Sequence, residues 1–140
     1  WSHYGDGFKG FCVEFDSEKL FESVKELNKD ADFGITAVDY ISKPREIKLF
    51  SNDNPSAMSK AIQCKHIQWE YECEVRLVST LAGLTRFSPE AVKSVYIGFK
   101  MPVLEEKLLI SVLENKYPNA AVKKVKADNE TFGVRVGEKM

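Results

Sequence analysis

Glu72, Glu74 and Arg76 occupy alternate positions within WEYECEVRLVST, residues 69–80. In an extended strand successive side chains point to opposite faces, so this spacing sets two carboxylates and a guanidinium side by side, with Tyr71, Cys73, Val75 and Leu77 on the other face. Neighbouring carboxylates raise each other's pKa, whereas an arginine favours ionisation. Such a group can hold ribose hydroxyls, clamp a cation or tune a general base. We therefore take Glu72, Glu74 and Arg76 as candidate catalytic residues and Trp69, at the head of the run, as a candidate ligand contact. The plainer reading is a solvated strand face whose ion pairs are worth little.

The second stretch is the opening, WSHYGDGFKG. Gly5, Gly7 and Gly10 have the spacing GxGxxG, but a dinucleotide-binding loop follows a strand and opens a helix. Here the glycines precede a strand, so that reading is rejected. A glycine loop can still bend closely around a ligand, with His3, Tyr4 and Lys9 as donors and Trp1 or Phe8 as stacking rings. The alternative is that the glycines supply turn dihedrals and the aromatics fill a sheet edge.

The elements that must position these groups follow from periodicity. Phe11, Val13 and Phe15 alternate as a half-buried strand. Asp16 and Ser17 offer cap oxygens to a helix through about Asn28, with Leu20, Val24 and Leu27 as its apolar stripe. Residues 34–41 read as a strand, 45–50 as a short continuation, and 55–66 as a helix led by Asn54 and Pro55. Residues 69–80 and 92–99 read as strands, 102–117 as a helix carrying Leu104, Leu108, Val112 and Leu113, and 120–126 with 131–136 as a closing hairpin. This order predicts one α+β domain over residues 1–140, a mixed or mostly antiparallel sheet with about three helices. Its core is expected to hold Phe11, Val13, Phe15, Val75, Leu77, Val95 and Ile97, covered by Leu108 and Val112.

Composition sets the outer limits. The chain has 140 residues, 44% hydrophobic and 29% charged, with a net charge of −1, which gives no field for phosphate backbones or anionic lipid. Nucleic acid and membrane partners are not indicated. Cys12, Cys64 and Cys73 show no CxxC spacing, and with only His3 and His66 besides there is little from which to build a metal site. Reduced thiols in a cytoplasm are expected. The chain opens on its densest motif without an initiator Met, which leads us to expect a missing N-terminal portion, and an apolar seam where it would dock.

WSHY followed by KGFCVEFD, then WEYECEVR, then a late SVYIGF and a proline-led helix together resemble the bacterial family catalogued as domain of unknown function 2971. The resemblance runs over nearly the whole chain and implies that this is the C-terminal portion of a longer protein. Glu72-Cys73-Glu74 entering a strand is also similar to the E-x-E of ADP-ribosyltransferases. That analogy implies Glu74 on the ribose of a nicotinamide half, with Glu72 orienting an acceptor. Two function classes are carried forward. One is a nucleotide-handling or NAD-dependent transferase-like enzyme with NAD or another small molecule as ligand. The other is a non-catalytic ligand-binding or protein-interaction module.

Overall fold

The computed structural model describes residues 5–44, 62–128, 130–131 and 133–139. The backbone divides into two compact units, Trp1–Asn28 with Leu84–Met140, and Lys29–Gly83.

In the first unit β1 (Phe11–Phe15), β6 (Val92–Ile97), β7 (Ala121–Ala127) and β8 (Val134–Lys139) form one mixed sheet in the order β1-β6-β7-β8. β1 runs antiparallel to β6 with Val13 opposite Val95, and β6 runs parallel to β7 with Val95 opposite Val122. A parallel pair needs a crossover, and helix α2 (Val103–Lys116) supplies it. The other helix, α1 (Ser17–Leu27), starts where the Asp16 carboxylate accepts from the Lys19 amide at 3.1 Å. It ends at Asn28, whose side-chain amide donates to Val24 and Arg86 carbonyls at 2.6 and 2.8 Å.

The core of this unit is Val92, Val95, Leu113 and Ala120, with Val13, Phe87, Leu109, Tyr117 and Val122 packed against it. The expected strands meet here, and Val95 and Ile97 are fully buried. The covering helix, however, is turned: Leu109, Leu113 and Tyr117 face the sheet, while Leu108 and Val112 are exposed. Phe11 and Phe15 also keep much of their surface in water. On the same helix Glu106 is buried and takes Lys124 Nζ of β7 on both carboxylate oxygens, at 2.7 and 2.6 Å. That pairing fixes the helix rotation by satisfying a buried charge.

The glycine-rich opening docks on the end of β6. The Gly98 amide donates to the Gly10 carbonyl at 3.0 Å, Lys100 N–H donates to the Phe8 carbonyl at 3.1 Å, and the Phe8 and Phe99 rings stack at 5.1 Å. Asp6, Gly7 and Phe8 all have positive φ, at 44°, 60° and 71°. The loop is a left-handed turn closed by Gly10 N–H on the Gly5 carbonyl at 2.9 Å.

The second unit holds β2 (Phe33–Ala37) antiparallel to β5 (Val75–Ser79), and β3 (Asp39–Ile41) parallel to β4 (Cys64–His66). Thus the strand expected over 34–41 is two strands, interrupted at Val38, which is buried. The strand expected over 45–50 lies outside the described residues, as do residues 55–61 of the expected helix, and Cys64–His66 is strand instead. The expected strand over 69–80 shortens to Val75–Ser79. Ile67–Glu72 form a 3₁₀ helix, started by the His66 side chain accepting from the Gln68 amide at 3.3 Å and stopped by Cys73 at φ 46°. Val75 and Leu77, expected in a core, are exposed, as is Tyr71.

Candidate functional site

Four charged side chains of the Lys29–Gly83 unit converge, and three of them are the candidates read from the sequence. Glu74 is placed by its own backbone: its N–H donates to the Tyr40 hydroxyl at 2.8 Å, and its carbonyl accepts from Val38 N–H at 3.0 Å. Arg76, opposite Thr36 in the β2–β5 register, returns to Glu74 with Nε on Oε1 at 2.7 Å and Nη2 on Oε2 at 3.2 Å. Its Nη1 donates to the Ile62 carbonyl. This fork-to-fork pairing is the strong geometry for an arginine and a carboxylate.

Glu72 is not on a strand face beside Glu74, because it ends the 3₁₀ helix. The two carboxylates are joined instead by Lys65, opposite Tyr40 in the parallel β3–β4 pair. Its ammonium donates to Glu72, and to Glu74 Oε2 at 3.1 Å, and lies 5.0 Å from the centre of the Trp69 ring. Trp69 and Tyr71 form a tilted ring pair at 6.0 Å. Lys65, Glu72, Glu74 and Arg76 are only 19%, 13%, 29% and 28% exposed. Among the described residues the network sets two carboxylates against two cations.

Among the other candidates, Lys9 lies in the other unit, paired with Asp6 at 3.3 Å on an exposed loop. Trp1, His3 and Tyr4 lie outside the described residues. Reading from the sequence missed Lys65 and Tyr40. A lysine in the three-residue strand Cys64–His66 gives no periodic signal, and its partnership with Glu72 depends on a parallel pairing that no local window contains. Among the described residues no cluster of metal-ligating side chains occurs, and Cys12 and Cys73 are exposed free thiols.

The hydrogen bonds from Arg76 and then from Lys65 hold the Glu74 carboxyl down to about 2 from an ordinary 4.5, and the same contact raises Arg76 further above its usual value. In the first unit Glu14 is likewise lowered to about 2 by Lys93 at 2.8 Å and the Tyr96 hydroxyl at 2.6 Å. A carboxyl whose folded value lies below its unfolded one stabilises the protein above the unfolded value, and that contribution is lost as pH falls through the interval toward 2. Urea midpoints measured from about pH 7 to about pH 2.5 are therefore expected to fall below about pH 4.5. Glu74→Gln should flatten that acid limb, and Glu14→Gln with Glu74→Gln should flatten it further. An acid limb unchanged in the double variant would show that neither contact exists in solution.

The fold and site define an α+β protein with a partly buried four-charge network against an aromatic pair. Residues 1–77, more than half the chain, match the family described as Protein of unknown function (DUF2971), and the chain belongs to that family. The match covers the glycine-rich opening and WEYECEVR and stops short of SVYIGF and the proline-led helix, so the likeness expected over nearly the whole chain is carried by its N-terminal part. No curated protein and no solved structure matches the chain, and the analogy to ADP-ribosyltransferases finds no support. Among the described residues no helix is long and apolar enough to cross a membrane.

Proposed function

We propose that the Lys29–Gly83 unit binds a nucleotide-like ligand, with the charged network meeting ribose and phosphate oxygens and the Trp69–Tyr71 pair meeting the base. The supporting observation is that four charged groups are drawn largely out of water beside a ring pair whose outer member, Tyr71, is 65% exposed. Taking charges out of water costs free energy even when they pair. In return the network presents preorganised groups of both signs. Guanidinium and ammonium suit phosphate, ionised carboxylates accept from vicinal hydroxyls, and exposed rings stack on a base at about 1–3 kcal/mol each.

The chemistry open to such a site is limited by Glu74. A carboxyl held to about 2 is ionised at neutral pH, so it cannot donate a proton and is a weak base. What it offers a bound NAD is electrostatic stabilisation of positive charge developing on the ribose. Binding is thus the primary reading, and NAD-dependent transfer is the finer form it would take. A second reading, a protein-interaction module, draws on Ile35, Val75 and Leu77, which stand exposed on one face of the β2–β5 ribbon.

Thermal shift and calorimetry with AMP, ADP, ADP-ribose and NAD separate these readings. A saturable rise in midpoint is expected with at least one of them. Tyr71→Ala should weaken that binding about tenfold or more without lowering the midpoint of the free protein, because the ring is exposed. If none of the four shifts the midpoint at millimolar concentration, the nucleotide reading fails and the interaction module takes its place.

A further inference from the structure

Helix α2 carries two apolar stripes, and the fold uses one. Leu109, Leu113 and Tyr117 pack into the core, whereas Leu104, Leu108 and Val112, at i, i+4 and i+8, are 70%, 61% and 52% exposed. An apolar stripe of this length held in water marks an interaction surface, and the charges beside it say what it meets. At 3.6 residues per turn Glu105 and Lys116 fall on one flank of the stripe and Lys107 and Glu114 on the other, and all four are exposed.

When two copies of a helix pair antiparallel about a two-fold axis, each flank meets the same flank of its mate. One register, with the axis beside Ile110, sets Glu105 level with Lys116 of the second copy and Lys107 level with Glu114 of the second copy. In that register Leu108 meets Val112, and Leu104 lies against the aliphatic stem of Lys116. The helix dipoles also oppose each other favourably, each acidic first turn lying beside a basic last turn. We infer that the exposed face of α2 is the interface of a symmetric homodimer, with a second copy of this chain as its occupant. The contact is at the small end of specific interfaces, so the association is weak and concentration-dependent.

Sedimentation equilibrium of the full chain from about 5 to about 500 μM tests this, with a dissociation constant expected in the tens of micromolar. Leu108→Glu should leave a monomer with unchanged circular dichroism, because the side chain lies outside the core. Glu105→Lys should weaken the dimer about tenfold, since symmetry counts each lost pair twice. Adding Lys116→Glu should restore it, whereas a parallel pairing would place the new glutamate beside Glu114 and weaken it further. A chain monomeric throughout the range, a dimer that survives Leu108→Glu, or a double variant that fails to recover would each overturn the inference.

Discussion

Replacing Gly98 by alanine is expected to destabilise the protein by about 3 kcal/mol or more. A Cβ built at Gly98 would lie 2.0 Å from the Phe8 carbonyl oxygen, 2.6 Å from its carbon and 2.8 Å from the Gly10 oxygen. These are backbone atoms, so no rotamer change relieves the clash. Nor can the loop retreat at low cost, because the hydrogen bonds from Gly98 and Lys100 hold the same two carbonyls and the Phe8–Phe99 stack closes over them. The glycine in SVYIGF is therefore there for the close approach of the opening loop. Gly7→Ala is the contrast: nothing lies within 4 Å of its Cβ position, and only its φ of +60° is strained, at a cost of about 1 kcal/mol. Urea unfolding of both variants checks the pair. A midpoint for Gly98→Ala equal to that of the natural chain would mean the loop does not dock on β6 in solution.

The elements legible in the sequence were those anchored in a buried core. Phe11–Phe15 and Val92–Ile97 are neighbouring strands that bring Val13 and Val95 side by side into one core, and both fall within a residue or two of the expected bounds. The run from Trp69 to Glu72 alternates cleanly, yet Tyr71 is exposed, so no buried face holds it extended. Local caps decided instead, His66 at the start and left-handed Cys73 at the end. Helix α2 was legible as a helix but not in its rotation, because it is apolar along two stripes and propensity cannot choose between them. The buried Glu106–Lys124 pair chooses, and its partner comes from β7. In the candidate site Glu74 and Arg76 were readable because they share a strand pattern. Lys65 was not, since only the parallel pairing of two three-residue strands brings it there. Local period thus recorded which groups could cluster, and long-range pairing decided what they cluster around.

Leu113→Ala is expected to cost about 2–5 kcal/mol, the range for deleting a buried leucine side chain and leaving a cavity, while Leu108→Ala should stay within about 0.5 kcal/mol. Both sit on α2, five residues apart, with the same side chain and the same helix propensity to lose. What differs is surroundings: Leu113 is 5% exposed among Val92, Val95 and Ala120, whereas Leu108 lies mostly in water. The residues around Leu113 come from a strand, a helix and the turn into β7, so the hole cannot be closed by shifting one side chain. Chemical denaturation at a concentration low enough to keep the chain monomeric isolates this term from any association through the outer stripe. The order of the two midpoints is the decisive reading. Should Leu108→Ala prove the more destabilising, α2 would be rotated to place Leu104, Leu108 and Val112 on the sheet, and both the core described here and the dimer face would be wrong together.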